Sequence, residues 1–364
     1  MGTFRNDRTE NRKITISDVA EELQVSKTTV SRAISGKGRI GEETRRRVLD
    51  YIAAKDYKPN VIAKGLAQQK TYNIALAIPG DCNLVDMPFL QNGMQGICEE
   101  ASAHDYDVML VTITGDDLGN LERMIANHKV DGVILSRSMV HDAAAGFLKA
   151  QEIPFVLMGT SRDRDILQVD NDHRAGCREL VETLLQGGNT RIGLVGGSKS
   201  YVVNHTRLQG YEDALRAART DDGGRLVFED CDTPAKVELA VDGLLEAQAE
   251  CIVCMDDAIC LTVLQTLSAR QVRVPEQMQV ASFYDSTLLL NNTPAVTSLL
   301  FDDKTLGAHT CSVLLHYIQG DEVKGRTLLG YEVRLRASTR RDGGEDAKEE
   351  TIGGHSPRGF EPWN

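Results

Sequence analysis

From Asn73 onward, short apolar runs alternate with amphipathic stretches, and this alternation narrows the fold more than any other feature. NIALAIP, DVMLVTI, DGVILS and FVLMG are separated by helical patterns at Phe89 to Ala103, Leu118 to Asn127 and Ala143 to Ala150. After Asp172 the order repeats: a helix, RIGLVGG, a helix from Thr206 to Arg219, RLVFED, Ala235 to Ala247, CIVCMD, Ala258 to Arg270, QVASFY, then VTSLLF with Lys304 to Ile318. Strand and helix in turn build a doubly wound parallel sheet. Two such series predict an α/β core of two lobes, with ligands at the carboxyl ends of the strands, facing the cleft between them.

The first 70 residues differ in charge. They carry 15 Lys and Arg against 9 Asp and Glu, net +6, and the remaining 294 carry 26 against 44, net −18, which together give the chain's −12. A small basic unit joined to an acidic body is the electrostatic pattern of a nucleic-acid reader with a separate sensing domain. No apolar run is long enough for a membrane helix and no signal peptide is legible, which predicts a cytoplasmic address and no membrane partner. Eight cysteines scattered over 364 residues read as reduced thiols rather than a disulfide framework.

Within the basic unit two short apolar patterns are split by a tight polar turn. Ser17 is the expected cap of the first helix, with Val19, Ala20 and Leu23 on its apolar face; Ser26 caps the second, which buries Val30, Ala33 and Ile34. Lys27, Thr28, Ser31 and Arg32 are then left on one outer stripe. A third helix runs from about Glu42 to Lys55, with Arg45, Arg46 and Arg47 in water. Helix, turn and capped helix with a polar stripe is the helix-turn-helix pattern: Lys27 and Arg32 can donate to guanine, and Thr28 and Thr29 can offer a hydroxyl or a methyl group to a base.

The pieces DVAEELQVSKTTVSRAISG, TRRRV and YKPN, in this order and spacing between Ile16 and Asn60, closely resemble the DNA-binding domain of the lac repressor (LacI/GalR) family of bacterial transcription regulators. The resemblance implies that Lys27 and Thr28 choose bases, that Ser26, Thr29, Ser31 and Arg32 contact phosphates or bases, and that Arg39 adds a further contact. Thr15, Asn60 and Lys64 join these as DNA-contact candidates. Gln24 stands where the family usually has Gly, and a left-handed conformation there costs about 1 kcal/mol. NVIAKGLA, residues 60–67, resembles the family's hinge helix, whose wedge into the minor groove would be Leu66.

Residues 71–340 resemble the family's periplasmic-binding-protein-like sensor core. The resemblance assigns the first lobe roughly 71–170 with a return near 301–325, and the second lobe 171–300 with the last strand, LLGYEVRLRAST. Arg207, in NHTRLQGYEDAL, matches the effector-gripping arginine, and its fork suits a hydroxyl or carboxylate. Phe89 matches an aromatic that stacks on the ligand. Asp256 closes CIVCMD, but Met255 replaces the family's Asn; Asp285 follows SFY, and in strict register Tyr284 takes the position of the ligand-binding carboxylate. Asp303 is a further candidate of the same kind.

Several motifs carry no function. Gly36-Lys-Gly-Arg-Ile-Gly41 follows a helix rather than a strand, the run from Gly193 has Ser198 where a phosphate loop demands Gly, and Cys251-x-x-Cys254 has no second pair to hold zinc. No catalytic constellation is present, so no enzyme activity, cofactor or metal is expected. The domains expected are 1–58 (helix-turn-helix), 59–70 (hinge and linker), 71–340 (effector-binding and dimerisation core) and 341–364, a Gly- and Pro-containing tail expected to be disordered. Together these readings predict a homodimeric repressor that binds double-stranded operator DNA and answers to a sugar or related metabolite. Control by a protein partner is the alternative, and a solute-binding protein without a regulatory role is a third reading. No leucine heptads support a C-terminal bundle.

Overall fold

A computed structural model of the chain describes residues 14–35, 38–55, 70–81, 87–219, 226–340 and 350–352. It divides into two compact units, residues 1–71 and 72–364.

The first unit is three helices: α1 (Ile16–Glu22), α2 (Lys27–Ser35) and α3 (Glu42–Ala54). Val19, Ala20, Val30, Ala33 and Val48 form its small core, with Leu23, Val25, Ile34 and Ile52 around it. The cap of α1 is Thr15 rather than Ser17, because Thr15 closes a reciprocal capping box with Asp18.

The second unit holds two sheets. In the first lobe the strands are β1 (Asn73–Pro79), β2 (Asp107–Ile113), β3 (Gly132–Leu135), β4 (Phe155–Met158), β5 (Gln168–Asn171) and β11 (Arg326–Leu329), in the order β11-β5-β4-β3-β1-β2. The second lobe holds β6 (Ile192–Val195), β7 (Val227–Phe228), β8 (Cys251–Cys254), β9 (Gln279–Ser282), β10 (Thr297–Leu300), β12 (Glu332–Leu335) and β13 (Glu350–Ile352), ordered β13-β12-β10-β9-β8-β6-β7. The pairs β1–β2, β1–β3 and β6–β8 are parallel, as strand-helix alternation requires. Intervening helices are α4 (Pro88–Ala103), α5 (Gly119–Ala126), α6 (Ala143–Ala150), α7 (His173–Gln186), α8 (Val202–Ala218), α9 (Pro234–Glu246), α10 (Asp257–Ala269), α11 (Thr287–Leu290) and α12 (Asp303–Gln319).

The chain crosses between lobes more than once. After the second-lobe strand β10, α12 returns to the first lobe, where Leu306, Cys311, Leu314 and Leu315 pack with Ile74 and Leu76 of β1. There α12 crosses α4 backbone to backbone: a Cβ on Gly96 would collide with the Lys304 carbonyl, and one on Gly307 with that of Gly93. This contact seats Phe89 and Asp303, at the starts of the two helices, near the lobe boundary.

Three expectations are corrected. The stretch LLGYEVRLRAST is not one second-lobe strand, because Leu328 and Leu329 extend the first-lobe sheet beside Asp170 and Asn171; only Glu332–Leu335 joins the second, antiparallel to β10. The chain therefore crosses at Gly330 and Tyr331. Within the tail expected to be disordered, residues 350–352 are a strand paired antiparallel with β12, whose open edge offers them hydrogen-bond partners. The helix expected from Thr206 begins at Val202, which puts Arg207 beyond its first turn. No helix among the described residues is long and apolar enough to cross a membrane.

Candidate functional site

In the three-helix unit the tight turn between α1 and α2 is made by Gln24 at φ 53°, the left-handed conformation anticipated where the family favours Gly. It lets the Val25 amide donate back to the Ala20 carbonyl at 2.9 Å. The Ser26 hydroxyl then caps α2 by accepting from the Thr29 amide at 3.0 Å and meets the Thr29 hydroxyl at 2.8 Å. With Val30 and Ala33 fully buried beneath, Lys27, Thr28, Ser31 and Arg32 are exposed together on the opposite face. Thr29 is half-buried, Arg39 is exposed beyond α2, and Thr15 is spent on capping α1. Asn60, Lys64 and Leu66 lie outside the described residues.

In the second unit, Arg207 projects from α8 into a buried cluster and is 7% exposed. Its Nη1 donates to the Met255 carbonyl at 2.6 Å, and its Nε donates to His173 Nδ1 at 3.5 Å. An arginine can only donate, so His173 accepts on Nδ1 and its proton sits on Nε2, which faces Asp170 Oδ1 at 3.4 Å. Burial and then the adjacent guanidinium lower the His173 pKa and keep the ring neutral. Asp170 also accepts from the Thr160 hydroxyl at 2.7 Å, so a polar chain runs from the first lobe to Arg207 in the second.

Asp256 caps α10 by accepting from the Ile259 amide at 2.9 Å. Burial raises its pKa, a shift opposed by that amide and by Arg207. The Tyr284 phenol donates to Asp303 Oδ2 at 2.6 Å, both residues being buried. Burial pushes the Asp303 carboxyl up to about 6, against the hydrogen bond from Tyr284 and the field of Arg207. Phe301 lies between these groups, its ring edge-on to His173 at 4.6 Å and stacked on Tyr284 at 6.5 Å. Half-buried Phe89 packs against the apolar clusters of both lobes.

The structure thus brings Arg207, Asp256 and Tyr284 to one region, and Asp303 with them. Asp285 is engaged elsewhere: its two oxygens accept from Arg336 Nη1 and Nη2 at 2.7 and 2.8 Å, in a buried bidentate pair that ties α11's approach to the residue just after β12. Sequence reasoning missed His173, Asp170, Phe301 and Arg336. The run VDNDH carries the only signal for the first two, a cluster of polar residues at a strand's outlet.

Comparison with known proteins agrees with this architecture. Residues 15–60 match the family described as bacterial regulatory proteins, lacI family, and residues 75–347 match periplasmic binding proteins and sugar binding domain of LacI family. The chain is 33% identical over 223 residues to the HTH-type transcriptional regulator MalR of Streptococcus pneumoniae, covering 60% of this chain and 67% of that one. It is 26% identical to catabolite control protein A of Staphylococcus xylosus, over 90% of this chain and 99% of the relative. Among solved structures, the complex of the transcriptional regulator CelR with cellobiose superposes with a TM-score of 0.69 at 27% identity, over 90% of this chain and 100% of that one. The lac repressor dimer bound to operator and the anti-inducer ONPF superposes with 0.73 at 23% identity, over 90% and 99%, a likeness of fold. With its helix-turn-helix unit and two-lobed core both matched, the chain belongs to the lacI family of bacterial regulatory proteins and is a DNA-binding transcription regulator.

Proposed function

We propose that this regulator is a repressor, acts as a homodimer in the cytoplasm, and is controlled by a small polyhydroxylated metabolite, a sugar or a close relative, bound between the lobes at Arg207. The observation that carries the reading is the Arg207 guanidinium itself: buried at the outlets of the second-lobe strands, it is met by a backbone carbonyl and a neutral imidazole rather than by a matched carboxylate. Such a group has donors to give to a ligand hydroxyl. Phe89, Asp256 and Tyr284 complete the wall, with His173, Phe301 and Asp303 added from the structure. Asp285 is left to its pairing with Arg336. MalR, and CelR in its complex with cellobiose, support the sugar class.

On the DNA side, Lys27, Thr28, Ser31 and Arg32 read the major groove, Ser26, Thr29 and Arg39 hold the backbone, Thr15 acts through the cap it gives α1, and Asn60, Lys64 and Leu66 serve as hinge contacts. One recognition helix touches few bases, so a two-fold dimer on half-sites about one turn apart supplies the specificity. A ligand changes operator affinity only by binding one lobe arrangement better, with a coupling of about 1 to 3 kcal/mol. The role is binding, not catalysis. A thermal-shift screen with cellobiose, maltose and their monosaccharides tests the cleft: stabilisation that disappears in Arg207→Ala supports the reading, and stabilisation that survives it refutes the assignment.

A further inference from the structure

The two lobes also touch outside their crossover segments. Met139, in the loop after β3, forms an isolated antiparallel bridge with Tyr201, in the loop after β6. The Val140 amide donates to the Ser200 carbonyl at 2.9 Å, and the Val202 amide donates to that of Ser138 at 3.3 Å, one on each side of the bridge. Over this backbone contact lies Arg137, whose guanidinium carbon is 5.3 Å from the centre of the Tyr201 ring. Its Nη1 is 3.2 Å from the Tyr201 hydroxyl and 3.2 Å from Asp81 Oδ1, at the outlet of β1. The Arg137 side chain is only 14% exposed, so the stacking is largely desolvated.

Tyr201 is the residue that opens α8, the helix carrying Arg207. A first-lobe arginine anchored by a first-lobe aspartate therefore grips the start of the second-lobe helix that presents the candidate ligand-binding group. Arg137 and Met139 also line a cavity of about 100 Å³ at the ends of β1, β2 and β3. This contact joins the lobes at a place away from the crossover segments.

We propose that Arg137, Tyr201 and the Met139–Tyr201 bridge form a clasp that holds the lobes closed, so that Arg137 and Tyr201 are positioning residues for Arg207. The link to Arg207's role rests on the function proposed above. The clasp itself is testable with no ligand, so its failure and the failure of the sensing reading are separate results.

Residues paired without direct hydrogen bonds in an antiparallel bridge have Cα atoms about 4.5 Å apart, within the span a disulfide accepts. In full-length protein with Cys82 and Cys98 replaced by Ser, Met139→Cys with Tyr201→Cys is expected to form an intramolecular disulfide in oxidised glutathione: two thiols are oxidised and one glutathione disulfide is reduced to two thiols. The cross-linked chain should keep a ligand-free scattering radius no larger than that of the unsubstituted protein. Arg137→Ala and Tyr201→Ala, with unchanged circular dichroism, should each enlarge that radius, as a roughly five- to thirtyfold shift from closed to open entails. Tyr201→Phe, which keeps the ring, should fall between. Failure of the cysteine pair to cross-link, or scattering from both alanine variants identical to that of the unsubstituted chain, overturns the clasp.

Discussion

Arg207 Nη1 lies 2.6 Å from the main-chain oxygen of Met255, and both residues are buried. Because the acceptor is a carbonyl of the backbone, the guanidinium is positioned by the end of β8 itself, whatever side chain residue 255 carries. The loss of the family's Asn at that position therefore leaves the arginine's anchor in place and removes only an amide from the wall.

Arg207→Ala is expected to weaken sugar binding at least tenfold, about 1.4 kcal/mol. Arg207→Lys should not restore it, since a single ammonium cannot replace a planar fork that spans His173, Met255 and a ligand. Isothermal titration with whichever sugar stabilises the unsubstituted protein measures both.

The Asp285–Arg336 pair is structural in its geometry, being bidentate and buried, with Arg336 Nη1 also donating to the Val296 carbonyl and the Ser298 hydroxyl at 2.9 Å each. Asp285→Ala strands a buried guanidinium and should cost about 3 to 5 kcal/mol in urea unfolding. The double change Asp285→Leu with Arg336→Met should cost markedly less. An Asp285→Ala protein of full stability that had lost only ligand binding would restore Asp285 to the ligand site.

Asp303 gives a pH dependence of defined sign. Its folded carboxyl titrates near 6, above the ordinary value near 4, so the folded state holds the proton more tightly than the unfolded chain. The resulting stability is complete below about pH 4 and is lost as pH rises through 6, a swing of about 2 to 3 kcal/mol. Asp303→Asn keeps an acceptor for the Tyr284 hydroxyl and cannot ionise. Relative to the unsubstituted protein it should gain stability between pH 4.5 and 7.5, read as a difference in urea midpoints.

In the three-helix unit, Thr15→Ala removes the side-chain half of the capping box, leaving the residue 15 amide still donating to Asp18, and should cost about 1 kcal/mol. Gln24→Gly should recover up to about 1 kcal/mol of left-handed strain. Hydrogen exchange of the α1 and α2 amides in the full-length chain, faster in the first variant and slower in the second, checks both.

Most strands were legible because their apolar runs are continuous and buried on both faces: NIALAIP became β1, Asn73–Pro79, residue for residue. β5 was not, since its sequence QVDN has three polar residues and reads as loop; its burial is stabilised by partners such as Thr160, whose hydroxyl serves Asp170. The helix-turn-helix unit was legible from local spacing alone, Ser26 to Thr29 being three residues apart. Arg336 and Asp285 are separated by 51 residues and Arg137 and Tyr201 by 64, and no local pattern encodes such pairs. Arg207 was found only through the match of its surrounding motif, and its anchors His173 and Met255 needed the fold.

The central claim is that α2 reads DNA, and fluorescence anisotropy of the full-length protein on labelled duplex from its own promoter region, against random-sequence duplex at fixed salt, tests it most directly. The expected result is a preference of about 10³ or more for the promoter duplex. Lys27→Ala should reduce it by about 1 to 3 kcal/mol at the base contacted, and Arg39→Ala should lower the salt slope by about one. Equal affinity for both duplexes, unchanged in either variant, would contradict the account.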